Sequence, residues 1–244
     1  MEADVEAPRN TRSGPIELTV ATWNIHGGVG TDGCYAPQRI VDVLTEIDAD
    51  VVALQEVASQ RAHENFLADL GHATGYRVVA DPLYRRQGAD VGNAVLSRHG
   101  IKAVSRIDLG VGSYEPRGAL DVAIEHRVGA SIRLLATHLG LRPSERRQQV
   151  KRLIAAVDAA PLQTTVLMGD VNEWYLWGRP LRWLHAHFRH APASPRTFPA
   201  RRPLFALDRI WISPPQCLRT LACHATPLAR VASDHLPLVA TIVV

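Results

Sequence analysis

Thr165-Val166-Leu167-Met168-Gly169-Asp170-Val171-Asn172 is an apolar run that ends in a small polar set: a glycine, a carboxylate and an amide. Residues Thr165–Met168 read as a buried strand, because they are short, apolar and bounded by a turn signal. The same junction recurs along the chain. Trp23-Asn24 follows the alternating run Ile16–Thr22, Gln55-Glu56 ends Val51–Gln55, and Thr137-His138 ends Ile132–Thr137. Asp208 sits in the run Leu207–Ile212, and Ser233-Asp234-His235 precedes Leu238–Val243. One such residue is an ordinary strand cap. Six together are not, because strand ends in a layered α/β domain converge on shared crevices where ligands bind.

The rest of the chain supports that layering. Further strands are expected at Arg77–Ala80, Asn93–Ser97 and Leu120–Glu125. Helices are expected at Gln38–Ile47, with Pro37 at its start, near Gln60–Leu70, and at Leu181–His187. The firmest helix is Ser144–Ala159, where Val150, Leu153, Ile154 and Val157 keep a helical apolar stripe. Strands outnumber helices and occur in both βαβ and hairpin order, which predicts a mixed-sheet α/β sandwich with helices outside. Residues 1–15 read as a loose leader and 16–244 as one domain.

Composition excludes several classes. A chain of 244 residues with 46% hydrophobic and 21% charged residues can bury a core without staples and is not disordered. No apolar run reaches the ~18 residues of a membrane span. Glu2, Asp4 and Glu6 oppose a secretory signal. Cys34, Cys217 and Cys223 form no C-x-x-C pair, so a disulfide scaffold and a zinc-thiolate site are unsupported. The expectation is a cytoplasmic, reducing setting and a monomer. The net charge of +3 hides an asymmetry: residues 1–122 hold 11 bases and 17 acids, a net of −6, and residues 123–244 hold 16 and 7, a net of +9. An Arg-rich half fits a polyanionic partner, and equally an Arg-biased genome.

The polar set has a definite chemistry. Asn24, Glu56, Asp170 and Asp234 are hard oxygen donors without thiolate, which suits Mg²⁺ or Mn²⁺. His138 and His235 can exchange protons near neutral pH, and an acid such as Asp208 can fix a tautomer. Such a set fits attack by water on a phosphorus or carbonyl centre.

TWNIHGG, LQEV, THLG, GDVNEW, LDRIW and SDHLPL, in that order, resemble the endonuclease/exonuclease/phosphatase superfamily, the DNase I-like metal-dependent phosphohydrolases. The resemblance covers Ile16 to Val244 and implies a four-layer α/β/β/α sandwich of two mixed sheets. It implies that Asn24, Glu56 and Asp234 hold or flank Mg²⁺ (Mn²⁺ as a substitute). It implies that Asp170 positions or deprotonates the attacking water and that Asn172 contacts the scissile phosphate. His235, oriented by Asp208, binds phosphate or moves a proton, and Arg117 binds phosphate unless it is merely a surface residue after a turn. His138 matches the second histidine of the branch that includes DNase I and the sphingomyelinases, which the abasic-site nucleases lack. The substrate implied is a phosphodiester. Nucleic acid leads on the Arg-rich half, including Arg146, Arg147 and Arg152, and a lipid or small phosphodiester is the alternative.

Three other signals carry less. Gly28-Val29-Gly30-Thr31-Asp32-Gly33 matches a dinucleotide fingerprint, with Asp48 or Asp50 for the ribose, but the helix starts only after Pro37 instead of inside the glycines. A flexible loop beside the metal site is the better reading, with His26 a loop residue near the site. Trp174, Tyr175, Leu176 and Trp177 could stack on bases or dip into lipid, but the expectation is that they pack a helix onto the sandwich. His185, His187 and His190 read as a solvated helix end. A non-catalytic binding protein is disfavoured because every motif is intact.

Overall fold

The computed structural model describes residues 16–61, 64–126, 131–160 and 164–244, so the leader expected over 1–15 lies outside the described residues. In chain order the elements are β1 (Glu17–Asn24), α1 (Gln38–Ile47), β2 (Val51–Arg61), β3 (Glu64–Asn65), α2 (Phe66–Thr74), β4 (Arg77–Arg86) and β5 (Ala89–Ser97). Then come β6 (Gly100–Asp108), β7 (Gly118–Glu125), β8 (Ser131–His138), α3 (Pro143–Ala159), β9 (Thr164–Asp170) and α4 (Arg179–His187). The chain closes with β10 (Asp208–Ser213), β11 (Leu218–Cys223), α5 (Ala229–Ala232) and β12 (Leu238–Val243).

Two mixed sheets form. One runs β11-β12-β1-β2-β5-β4, with β3 paired to β2, and the other runs β10-β9-β8-β7-β6. Side chains alternate across each strand, and this separates three apolar layers. Val20 and Ala53 of the larger sheet meet Leu134, Val166 and Ile210 of the smaller one between the sheets. Trp23 and Leu54 face outward onto Ile40 and Leu44 of α1 and Leu70 of α2. Leu135, Leu167 and Trp211 face the opposite way onto Val150 and Leu153 of α3 and Leu184 of α4. The result is the expected four-layer α/β/β/α sandwich.

The same alternation positions the polar set. Along β1, Leu18 and Val20 point between the sheets, so Asn24 shares their parity. His138 shares the parity of Ile132, Leu134 and Ala136. Asp170 shares that of Val166 and Met168, and Asp208 that of Ile210 and Ile212. Each is therefore the last or first inward residue of its strand. His138 pairs in register with Asp170, and Asp170 with Asp208.

Several elements depart from expectation. The helix expected near Gln60–Leu70 is a strand as far as Arg61, and α2 begins only at Phe66, where the Asn65 side chain accepts the Ala68 N–H at 3.2 Å as an N-cap. β6 and β11 were not expected as strands. Both are edge strands with mostly solvent-facing side chains, so neither needs an alternating apolar pattern.

Candidate active site

Asp170 stands at the centre of the cluster, fully buried. Its strand can come this close to β8 because Gly169, at φ +149°, lies against the Thr137 carbonyl, where a Cβ would sit 1.8 Å from the oxygen. Asp170 Oδ1 accepts the Asn172 N–H at 2.9 Å, and Oδ2 accepts from Asn24 Nδ2 at 3.1 Å. The same Asn24 Nδ2 donates to Glu56 Oε1 at 3.1 Å, so one amide bridges two carboxylates from different sheets.

Glu56 reaches this position through a bulge. Pairing of β2 with β5 shifts register between Leu54 and Val57, and Glu56 adopts φ +52°. Such bulges re-aim a side chain and carry backbone strain that persists where the surroundings enforce it. His26 (φ +47°) and Asn172 (φ +50°) are left-handed as well, so three of the six such non-glycine residues among the described residues surround the cluster.

The two histidines are held in opposite states. His235 Nδ1 bonds Asp208 Oδ2 at 2.9 Å, and its Nε2 lies 3.7 Å from Asp170 Oδ2. Burial by itself would depress this imidazole, but the charges of Asp208 and Asp170 outweigh burial and push it up to about 10. Asp208 is in turn locked by the Thr197 hydroxyl, and Trp23 Nε1 fixes the His235 carbonyl at 2.9 Å. His138 is the reverse case. Burial first, then the Arg117 guanidinium, holds it well below the ordinary histidine value. Arg117 Nη1 lies 3.1 Å from His138 Nδ1. A guanidinium only donates, so Nδ1 accepts and Nε2 carries the proton. That Nε2 faces Asp170 Oδ2 at 3.6 Å and Glu56 Oε1 at 4.0 Å. The Asn172 side-chain amide lies 3.0 Å from the same Nε2, and in this tautomer it must present its oxygen there, because two N–H donors cannot face each other at that distance. Environments that drive paired titratable groups apart mark acid and base assignments.

This arrangement makes a titration testable by histidine NMR. His235 should remain protonated well above neutrality in the wild-type protein, because its folded-state value is raised to about 10. Asp208→Asn removes the larger carboxylate contribution and leaves the burial that opposes protonation, so the midpoint should fall toward or below the ordinary 6.5. An unchanged midpoint in the variant would remove Asp208 from its assigned place.

The donor set fits a hard divalent cation. Glu56 and Asn24 offer oxygen donors on adjacent strands. Burial and the Asp208 charge push the Asp170 carboxyl up to about 6, although the His235 charge opposes them, so added positive charge is what this cluster wants. Asn24 turns Nδ2 to the two carboxylates, and its Oδ1 accepts the His26 N–H at 3.0 Å. A half-turn of this amide would bring Oδ1 to a cation at the carboxylates, at the cost of the His26 N–H bond. Asp170, Asp208 and His235 also bring ligand-capable atoms within 4.8 Å of one another. Within that group Asp208 and His235 already satisfy each other as a hydrogen-bonded pair, so Glu56 and Asn24 are the better cation donors.

Of the residues expected at the site, Asn24, Glu56, His138, Asp170, Asn172, Asp208 and His235 come together, and Arg117 joins through His138. Arg117 is buried, not a surface residue, and pairs with Glu115 Oε1 at 2.9 Å. Asp234 takes no part in this hydrogen-bonded network, although its charge acts on the His235 imidazole. Its carboxylate meets the Ser233 hydroxyl at 3.4 Å, and no hydrogen bond joins it to Asn24 or Glu56 among the described residues. Arg146 is not a surface arginine, because it is buried on Glu173 (3.2 Å) and on the carbonyls of Gly140 and Leu141. The glycine loop forms a short turn at His26–Gly28 and opens no helix, which removes the dinucleotide reading. The Trp174–Trp177 cluster does not pack a helix onto the sandwich: Leu176 is 68% and Trp177 73% exposed. His185 is not a solvated helix end either, since its ring lies 5.9 Å from buried Trp211 and burial lowers its pKa. Thr197 was not anticipated; it sits in a Pro/Arg-rich loop whose sequence has no periodicity to reveal an inward hydroxyl. A cavity of about 560 Å³ lined by His72 and Tyr76 lies away from this chemistry and gathers no comparable set of charged groups.

A family model described as the Endonuclease/Exonuclease/phosphatase family matches residues 21–235. The protein YbhP of Escherichia coli K12 is 33% identical over 247 residues, covering 93% of this chain and 96% of YbhP. An endonuclease/exonuclease/phosphatase structure from Beutenbergia cavernae superposes with a TM-score of 0.74 at 24% identity, covering 93% of this chain and 71% of that one. A humanized D. rerio TDP2 structure superposes with a TM-score of 0.67 at 18% identity, covering 92% and 98%. At those identities the two structures speak for the fold.

Proposed function

The chain belongs to the endonuclease/exonuclease/phosphatase family, and from that premise we propose that it is a divalent-cation-dependent phosphodiester hydrolase. The observation that carries this reading is the meeting of Glu56, Asn24 and Asp170 with one charged and one neutral histidine at the end of the inter-sheet seam.

Mg²⁺ or Mn²⁺ would be held by Glu56 and Asn24, with Asp234 beside it, and would supply positive charge to a phosphoryl oxygen as negative charge builds there. Asp170, pushed up to about 6, is poised close to neutral pH as the base that orients and deprotonates water. His235 is an imidazolium held by Asp208. It offers Nε2–H to a phosphoryl or leaving oxygen, and Asp208 holds it in that orientation. His138 is a neutral donor through Nε2–H, and the Asn172 amide lies beside it for a second phosphoryl oxygen. Burial and then the Arg117 charge keep His138 neutral, and Arg117 adds positive charge behind it. These preorganised donors act most strongly on the transition state, where the charge is greatest.

Attack at phosphorus leaves a labelled product. With bis-p-nitrophenyl phosphate in heavy-oxygen water, the label should appear in p-nitrophenyl phosphate. Label in the released nitrophenol would place the attack at carbon and contradict this reading. The arginine argument for nucleic acid weakens here, because Arg146 is buried and Arg152 donates to the Gly110 carbonyl at 2.6 Å.

A further inference from the structure

Exposed hydrophobic side chains gather on four loops at one end of the smaller sheet. Tyr114 precedes β7, Leu141 follows β8, Tyr175, Leu176 and Trp177 follow β9, and Leu204 precedes β10. Register pairs Ala119 with Thr137, His138 with Asp170 and Asp170 with Asp208, so all four loops leave the end that carries the catalytic cluster. The β9 loop is built to project. Glu173 turns inward onto buried Arg146 and accepts the Tyr175 N–H at 3.3 Å, and Gly178 N–H closes the turn onto the Tyr175 carbonyl at 2.9 Å. Gly178 passes so close to Glu173 that a Cβ would lie 2.4 Å from its carboxyl carbon. With the turn pinned from beneath, Tyr175, Leu176 and Trp177 can only face outward.

Charge on the loops around β9 and β10 has one sign, while Glu115 beside Tyr114 is paired with Arg117. Residues 174–207 contain no Asp or Glu, and Arg179, Arg182, Arg196, Arg201 and Arg202 are exposed on them. Arg142 lies over the Tyr114 ring at 4.5 Å. Exposed aromatics beside arginines also suit single-stranded nucleic acid, but the geometry disfavours stacking. Tyr175 and Trp177 are 5.5 Å apart and tilted by 39°, whereas a base held between two rings needs about 7 Å, twice the stacking rise of nucleic acid. Trp174 is already covered edgewise by Phe198 and Phe205. Leu141, Leu176 and Leu204, each at least 60% exposed, give bases nothing to stack on and give acyl chains a great deal. The cavity beside Glu56 and His26 holds only about 90 Å³, too little to enclose a substrate whole.

We propose that this rim docks on an anionic phospholipid surface and that the diester cleaved is the headgroup phosphodiester of a lipid presented there. The substrate half rests on the hydrolase reading above. Water's oxygen forms the new bond to phosphorus, one ester P–O bond breaks, and the departing oxygen leaves with a proton. Leu and Trp side chains enter the acyl boundary while the arginines meet anionic headgroups.

The test is co-sedimentation of the purified protein, in EDTA, with vesicles of phosphatidylcholine alone or mixed equally with phosphatidylglycerol. Binding to the mixed vesicles is expected, with a blue shift of tryptophan emission. Leu176→Asp and Trp177→Ala should each weaken binding by at least about tenfold, with native circular dichroism. A wild-type protein that ignores both vesicles, or variants that bind as well as it does, would overturn the proposal. So would retention on a single-stranded oligonucleotide with vesicles ignored, which would make the rim a base platform. Turnover of a soluble diester is read separately. Vesicle binding without it overturns the hydrolase reading and the lipid substrate while the docking surface stands, and turnover without vesicle binding does the reverse.

Discussion

Asp170→Asn is expected to lower kcat on a phosphodiester by at least about a hundredfold while the protein keeps or gains thermal stability. The kinetic half follows from the loss of the base beside Asn24 and both histidines. The stability half follows from linkage. The folded-state pKa of Asp170 is raised from 3.8 to about 6, so its charge is penalised in the fold once the pH exceeds the unfolded value. An isosteric amide removes that charge, and its oxygen can still accept the Asn172 N–H. Catalytic groups that cost stability are where such trade-offs are expected. Kinetics with a thermal melt decide the matter: near-wild-type turnover removes Asp170 from the chemistry, and an unfolded variant makes it a structural residue.

Glu173→Ala should produce the largest loss of stability, about 3–5 kcal/mol, because it strands the buried Arg146 charge. Arg146 would keep the Gly140 and Leu141 carbonyls but lose its only carboxylate among the described residues. The same substitution frees the turn beneath Trp177, which Glu173 holds through the Tyr175 N–H. Urea unfolding measures the effect. A loss below about 1 kcal/mol would mean that solvent reaches this pair and that the loop is anchored elsewhere.

Much of the buried polar cluster was legible because strands write their ends plainly. Val166–Met168 had to be buried, so the polar residues that follow had to lie at a layer's edge, and the alternation then fixed which way Asp170 points. His138 and Asp208 were found by the same reasoning. What escaped was whatever the apolar pattern does not record. Edge strands β6 and β11 bury too little to show a period. Arg146 looked like the polar face of a helix, because a buried guanidinium and a solvated one are spelled alike and only Glu173, far along the chain, distinguishes them. The Trp174–Trp177 run looked like core because aromatic residues usually are, and the inward pull on Glu173 that turns them out is a tertiary contact. Asp234 lies next to His235 in sequence, yet neighbouring side chains on an extended chain diverge, and it stands outside the hydrogen-bonded cluster.

The central claim is that a divalent cation and this cluster together hydrolyse a phosphodiester. The most direct measurement is turnover of bis-p-nitrophenyl phosphate by the purified chain in EDTA, then with Mg²⁺ or Mn²⁺ in excess. Hydrolysis should vanish in EDTA and return with the cation. Full turnover in EDTA would contradict the account.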